Sequence, residues 1–387
     1  MHWLGLAQAT AAEADMTVLN WYDEIYTFQI SVDETPTTMQ ATLDTGLGYT
    51  VVETTGCSTC GPWRLNTALG QGGLTVSTTA VSGNLSYTAY SGVSGTATFC
   101  IYKSGAYSTA PTSANIASMP CIQSFGLHFA NSVTSPNLKA TAHLGMALAK
   151  GADRNGNTPA STFNLLDSYV TAGKLTAATK KFGLGLYTDD GTGGSSSTTR
   201  NFMNFGNTST PSSVDSAKAA QTITFNDNEF YWKAPLNGIW FGTQENSKYG
   251  LNEASITLET GLQCLQIPSN QYSFVYDKLT AYSSGYWQTP AGNTLMDCGD
   301  KKVMKTISLL FNDKWVEILP TDYLVPLRTG NNGNEVSTGM CKLCIELSSD
   351  SDWHVGSAAL MNYYAEFDAN LRTLSLQPLA GSVKSSL

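Results

Sequence analysis

The chain has 387 residues, of which 42% are apolar and 13% charged, so it can bury large cores and lacks the composition of a disordered protein. This length exceeds what one hydrophobic core organises, which predicts two domains or one large bilobal unit. The formal charge of -9 argues against nucleic acid or an anionic membrane as a partner, and no apolar run is long enough for a transmembrane segment.

Apolar and polar residues alternate along most of the chain, with turn-forming residues at short intervals, which predicts a mainly β protein. A helical pattern is clearest over residues 161–172, and residues 303–311 fit either a helix or a strand. The predicted strands in chain order are 26–32, 40–43, 96–102, 182–187, 221–225, 238–241, 315–319 and 371–376.

Two Gly-, Ser- and Thr-rich stretches separate these elements. Residues 189–199 lie between two predicted strands and are interpreted as a long hairpin loop. The polar, turn-forming residues 208–217 mark the predicted boundary between an N-terminal lobe, residues 1–208, and a C-terminal lobe, residues 209–387.

A short segment occurs twice in the chain. Residues 42–47 read TLDTGL and residues 257–262 read TLETGL. Farther along each half, a histidine, an apolar residue and a glycine follow one another, at His143-Leu144-Gly145 and at His354-Val355-Gly356. Two motifs in the same order at nearly the same spacing predict two related lobes that face one another.

Cysteine usage indicates an oxidising compartment. The eight cysteines of this charge-poor chain predict disulfides, and the two CxxC pairs leave zinc as the alternative, although they lie in opposite halves without a third ligand set. Glycosylation sequons at Asn84 and Asn207 fit a secreted glycoprotein. The cysteines fall into local groups, namely Cys57 with Cys60, Cys100 with Cys121, and Cys264, Cys298, Cys341 and Cys344.

From about residue 21 to residue 379, the chain resembles the pepsin-like aspartic peptidases. Asp44-Thr45-Gly46 resembles the first catalytic loop of that family, and Glu259-Thr260-Gly261 stands in the place of the second, where the family has aspartate. Asp297 also begins an acidic triplet, but it lies 58 residues after Ile239. Glu259 lies 20 residues after Ile239 and therefore has the spacing that the resemblance requires.

The resemblance implies a mainly β, bilobal acid-protease fold, with two pseudo-symmetric lobes and a cleft that takes an extended peptide or protein segment. It also implies that the hydroxyls of Thr45 and Thr260 bond across the two loops. Residues 85–95 resemble the flap hairpin, in which Tyr87 and Tyr90 both compete for the place of the family's tyrosine. The implied disulfides are Cys57–Cys60 and Cys298–Cys341, with Cys344 as an alternative partner for Cys298; Cys100 and Cys121 are expected to pair as a local group.

The chemistry of the family needs two carboxyl groups that share one proton and hold one water. Glu259 adds a methylene, about 1 Å of reach, and a displacement of that size can cost about a hundredfold in rate. Leu47 and Leu262 follow the triplets where the family has a hydroxyl donor, and Val51 lies near the place of a family tryptophan. These departures predict an impaired peptidase that acts in binding or as a structural extracellular component; the alternative is an active endopeptidase with an Asp44/Glu259 dyad.

Two histidines occupy places where the family has apolar residues beside the dyad. His143 and His354, together with Asp44 and Glu259, have the residue types of a site with two His and two carboxylate ligands. The interpretation we adopt is two packed, hydrogen-bonded histidines, with no metal and no cofactor. The expected partners are a segment in the cleft or other extracellular proteins, including a second copy, at the cell exterior or in an acidic or secretory lumen.

Overall fold

The computed structural model describes residues 12–18, 26–32, 39–60, 74–85, 88–101, 121–134, 142–148, 160–187, 201–206, 210–227, 229–242, 247–290, 292–329, 336–382 and 384. Within these ranges the protein is mainly β, which confirms the predicted fold class. The strands are β1 (Ala12–Val18), β2 (Tyr26–Val32), β3 (Met39–Asp44), β4 (Val51–Glu53), β5 (Thr75–Leu85), β6 (Thr88–Ile101), β7 (Cys121–Val133), β8 (Ala142–Gly145), β9 (Lys181–Gly185), β10 (Asn201–Phe205), β11 (Gln221–Thr224), β12 (Lys233–Phe241), β13 (Lys248–Leu258), β14 (Leu265–Ile267), β15 (Tyr286–Gln288), β16 (Thr294–Asp297), β17 (Ile307–Phe311), β18 (Lys314–Ile318), β19 (Leu324–Thr329), β20 (Val336–Leu343), β21 (Ile345–Leu347), β22 (Trp353–Val355), β23 (Tyr363–Asp368) and β24 (Thr373–Pro378).

The strands of the described residues form three sheets. The largest has the order β11-β24-β23-β9-β10-β1-β2-β3-β8-β4-β7-β6-β5, the second β18-β17-β12-β13-β22-β14-β21, and the third β15-β16-β20-β19. The largest sheet combines strands from both halves, because β23 pairs antiparallel with β9 and places Phe367 opposite Phe182. The two halves are therefore joined by hydrogen bonds between strands far apart in sequence.

The same local strand arrangement occurs once in each half. β8 pairs parallel with β3 and antiparallel with β4, and β22 pairs parallel with β13 and antiparallel with β14. In the first half this register places His143 beside Thr42, and in the second half it places His354 beside Thr257. The repeated sequence motifs therefore lie on equivalent strands of two related units.

A buried tryptophan connects the two halves in the core. Trp232 packs edge-on against the rings of Phe182, Phe225 and Phe367. Its indole nitrogen donates a hydrogen bond of 2.8 Å to the carbonyl oxygen of Met146. A buried indole N–H needs such an acceptor, so this contact fixes the second half against the loop that follows β8.

Helices are few and short. The α-helices of the described residues are Leu165–Thr171, Ser269–Thr280 and Pro320–Tyr323, and the 3-10 helices are Ser161–Phe163, Ala177–Thr179, Cys298–Lys302 and Ser357–Ala359. The helix predicted over 161–172 is divided at Asn164, whose side chain accepts a hydrogen bond from the Asp167 amide and caps the second piece. Within 303–311, the ordered element is the strand β17. The predicted loop 189–199 lies outside the described residues.

All eight cysteines form disulfides, which confirms the prediction of a disulfide-bonded chain and leaves no thiolate for zinc. Cys344 was an alternative partner for Cys298 by resemblance, but it pairs with Cys264. The pairs are Cys57–Cys60, Cys100–Cys121, Cys264–Cys344 and Cys298–Cys341. Separately, no helix within the described ranges is long and apolar enough to cross a membrane.

Candidate active site

Two threonines connect the repeated loops. The hydroxyl of Thr45 donates to the carbonyl oxygen of Leu258 at 2.7 Å, and the hydroxyl of Thr260 donates to that of Leu43 at 2.8 Å. Each hydroxyl also accepts from the opposite loop, because the Thr45 amide donates to Thr260 Oγ1 at 3.1 Å and the Thr260 amide to Thr45 Oγ1 at 3.0 Å. This reciprocal set places the segments that follow β3 and β13 face to face.

The two acids of the repeated triplets are buried at this junction. Asp44 ends β3, and its Oδ1 accepts a hydrogen bond of 2.9 Å from the Gly46 amide. A Cβ atom on Gly46 would lie 2.8 Å from Cδ of Glu259 and 3.2 Å from Oδ1 of Asp44, so these two atoms are no farther apart than the sum, 6.0 Å. The same hypothetical Cβ would lie 2.7 Å from Cγ of Glu259, so the Glu259 side chain needs a glycine at position 46.

Glu259 makes a buried contact with His354. His354 Nδ1 lies 2.8 Å from Glu259 Oε1, and His354 Nε2 lies 2.8 Å from Oδ1 of Asp350, whose side chain is 35% exposed. A carboxylate can only accept hydrogen bonds, so two ionised partners require both ring nitrogens to donate, and only imidazolium has two N–H groups. The three side chains form a continuous hydrogen-bonded path from the buried acid to the surface.

Asp350 is a site residue that the sequence analysis missed. It lies four residues before His354, in the polar segment between β21 and β22. Its Oδ1 also accepts hydrogen bonds from the Ser348 hydroxyl at 3.1 Å and the Asp352 amide at 2.9 Å, which fix the carboxylate. The cluster of acidic and hydroxyl residues just before the His-Val-Gly motif is the signal that could have indicated it.

His143 is buried on β8, where it lies between Thr42 of β3 and Val51 of β4. Burial lowers the pKa of His143 from 6.5 to about 4. The ring is therefore neutral at neutral pH. Within the described residues, no group of three or more His, Cys, Asp or Glu side chains is arranged to hold a metal ion, so the alternative metal site receives no support.

The glycines of the two His-x-Gly motifs have a common packing role. A Cβ on Gly145 would lie 2.7 Å from the carbonyl oxygen of Leu47, and a Cβ on Gly356 would lie 2.5 Å from that of Leu262. Both leucines are buried directly behind the triplets. Each loop therefore packs its backbone against a glycine on the neighbouring strand, in the two halves alike.

The hairpin β5–β6 carries one of the two flap tyrosines within the described residues. Tyr90 is buried, and its hydroxyl lies 2.6 Å from Nδ1 of His128 on β7. His128, which the sequence analysis also missed, stacks on Tyr49 with ring centres 4.3 Å apart. Tyr87 lies outside the described residues.

The two sequons are less well placed by the structure. Asn84 belongs to β5, but its side chain is not described, and Asn207 lies outside the described residues. Their modification therefore stays a prediction.

The geometry defines a class of protein: two related β units, joined by a shared sheet, that bring two acidic loops together and cross-bond them through threonine hydroxyls. A family model described as eukaryotic aspartyl protease matches residues 191–379, just under half of the chain and the part that contains Glu259 and His354. No curated protein matches the chain. The chain belongs to the pepsin-like aspartic peptidase family, and it contains a pepsin-like aspartyl protease domain.

Proposed function

We propose that this is a secreted pepsin-fold protein with impaired peptidase chemistry, whose cleft binds an extended peptide or protein segment. The observation that carries the proposal is the hydrogen bond of 2.8 Å between Glu259 and His354. Peptidases of this kind need two acids that share one proton. Here the second acid has an imidazole as a partner, and that imidazole is held in turn by Asp350.

The protonation requirements of this path oppose those of a catalytic pair. An imidazolium between two carboxylates keeps Glu259 ionised and gives its Oε1 a fixed, charge-assisted donor. The proton that Glu259 would share with Asp44 is then replaced by a proton that belongs to His354. A water held between the two acids would also meet a carboxylate whose position is set by His354, and small displacements there are costly for the rate.

The surroundings of both loops support the same proposal. Leu47 and Leu262 place buried apolar groups where the family has hydroxyl donors to the acids. Burial also holds the pKa of His143 at about 4, so a proton taken up by this histidine in acid would oppose the folded state. Both features are disadvantages for a peptidase that works in acid and are neutral for a binding protein.

The wider role is part of the proposal. Four disulfides and the absence of a membrane-spanning helix within the described residues are compatible with secretion or an extracellular surface. We assign the lobes to residues 1–208 and 209–387, with glycans at Asn84 and Asn207. The partner is a segment in the cleft or another extracellular protein, including a second copy of this chain.

The second candidate function is an active endopeptidase with an Asp44/Glu259 dyad. The observation that favours it is the proximity of the two buried acids, whose Oδ1 and Cδ atoms lie within 6.0 Å of each other, the sum of 2.8 Å and 3.2 Å. The intact threonine contacts also hold the loops in register.

Digestion of an unfolded protein substrate across acidic to neutral pH, with and without a transition-state peptide analogue, separates the two candidates. We expect the wild type to bind the analogue in calorimetry and to show no cleavage that the analogue inhibits. A variant that combines Leu47→Ser, Glu259→Asp, Leu262→Thr and His354→Ile should gain inhibitable cleavage, by at least about a hundredfold over the wild type. Inhibitable cleavage by the wild type that Asp44→Asn abolishes would establish the second candidate instead.

A further inference from the structure

The C-terminal tail inserts one charged side chain into the body of the protein. Lys384 is fully buried, and its Nζ lies 2.9 Å from Oδ2 of Asp322, which is also buried. The ammonium lies 4.5 Å from the centre of the Tyr363 ring. Gly381 is exposed and Ser382 half-buried, so the tail follows the surface around this single inserted side chain.

The pocket is built by residues outside the tail. Asp322 Oδ2 accepts a hydrogen bond of 2.9 Å from the Leu319 amide, and its Oδ1 accepts one of 3.2 Å from Nδ2 of Asn362. Glu317 adds a second negative charge near the ammonium, and Tyr363 supplies an aromatic face. A carboxylate fixed in this way beside an aromatic ring is a cation site that does not depend on the tail for its shape.

The backbone of the tail is held by weaker, more exposed contacts. Lys218 Nζ donates to the carbonyl oxygens of Ser382 at 2.9 Å and of Lys384 at 2.7 Å. Lys218 also lies 3.8 Å from Asp215, in a half-exposed pair. Such contacts contribute little at a surface, so the inserted lysine is the main anchor of this segment.

Burial and charge act in opposite directions on this anchor. Desolvation lowers the pKa of Lys384, although the negative charges of Asp322 and Glu317 raise it. The inserted ammonium is therefore less favoured in the pocket than in water, which makes it replaceable. Without it, Asp322 would be a carboxylate with no counter-ion in a buried site, and a carboxylate of that kind strongly favours a new cation.

We propose that Asp322 and Tyr363 form a binding pocket for a primary alkylammonium group, and that Lys384 occupies it as a displaceable latch of the C-terminal tail. The pocket suits a linear amine, because the carboxylate takes the ammonium while apolar surroundings take the methylene stem. A lysine side chain of another segment has the same chemistry. This site is separate from the acidic loops, and the proposal does not depend on the function proposed for them.

The test uses the full chain with Lys384→Ala, which keeps the tail but empties the pocket, and n-butylammonium chloride as the probe. We expect millimolar butylammonium to raise the melting temperature of this variant by roughly 1–2 °C more than that of the wild type. Lys384→Met fills the pocket without a charge and should not respond, and Lys384→Ala combined with Asp322→Asn should lose the response. Equal shifts in the wild type and in Lys384→Ala, or an equal effect of tetramethylammonium, would overturn the proposal.

A second measurement on the wild type keeps the proposal testable if Lys384→Ala does not fold. Butylammonium competes with Lys384, so hydrogen exchange of the peptide 380–387 should accelerate about tenfold at about ten times the dissociation constant of the probe. Tetramethylammonium at equal concentration is the control. Exchange that is the same with both salts would show that the tail is not a displaceable latch.

Discussion

The reciprocal threonine contacts predict a large loss of stability when one hydroxyl is removed. In Thr45→Val, the carbonyl oxygen of Leu258 loses its donor at 2.7 Å, and the amide of Thr260 loses its acceptor at 3.0 Å. Both groups lie at the junction of the two halves, where a replacement by water is restricted. At about 1–2 kcal/mol for each unsatisfied group, Thr45→Val should lower the free energy of unfolding by about 2–4 kcal/mol.

The chain offers a matched control for this substitution. Thr50 is also fully buried, but its hydroxyl has no hydrogen-bond partner among the described residues, so Thr50→Val should change stability by less than about 0.5 kcal/mol or increase it. Urea denaturation of both variants and of Thr260→Val, followed by fluorescence, measures the difference. The double variant Thr45→Val/Thr260→Val should cost less than the sum, because both hydroxyls belong to one network. A cost for Thr45→Val no larger than that for Thr50→Val would refute the reasoning.

Three further variants test the buried histidines and one disulfide. His354→Leu leaves Glu259 buried without its imidazole and should cost about 3 kcal/mol in urea denaturation, whereas His354→Leu combined with Glu259→Met should cost less. His143 has a pKa of about 4 when folded and 6.5 as the reference, so the unfolded chain binds the extra proton between these values; stability falls by about 3 kcal/mol as pH drops through this window, and His143→Leu should flatten that slope. Replacing Cys264 and Cys344 by alanine opens a connection between residues 80 apart and should cost about 4 kcal/mol, measured under non-reducing conditions.

Local periodicity was sufficient to predict most strands but not the helix Ser269–Thr280. Strand β2 has the predicted bounds, and β18 differs from the prediction 315–319 by one residue at each end. The helix Ser269–Thr280 buries only Val275, Tyr276, Leu279 and Thr280, in a segment that is otherwise polar. Its apolar pattern is too short to predict a helix without the tertiary contacts that stabilise it.

The sequence repeat predicted which loops face each other, but not what each acid contacts. The spacing of the two triplets identified Thr45 and Thr260, because a duplicated motif in a duplicated unit must occupy equivalent positions. The contact of His354 with Asp350 depends on the direction in which a loop side chain points, and a loop has no periodicity from which to derive that direction. The pairing of β23 with β9 is similarly non-local, since it joins residues nearly 200 positions apart.

The two loops are symmetric in their threonines and asymmetric in their acids, and this difference separates the fold from the reaction. Thr45 and Thr260 make equivalent contacts within 0.1 Å of one another. Asp44, by contrast, accepts from the amide of its own loop, whereas the extra methylene of Glu259 lets it reach His354 on a neighbouring strand. Holding the lobes together requires only the symmetric part, but sharing a proton requires two equivalent acids. A change in one acid can therefore remove the reaction while the scaffold keeps its full set of contacts, so stability and proteolysis should respond to different substitutions at this one junction.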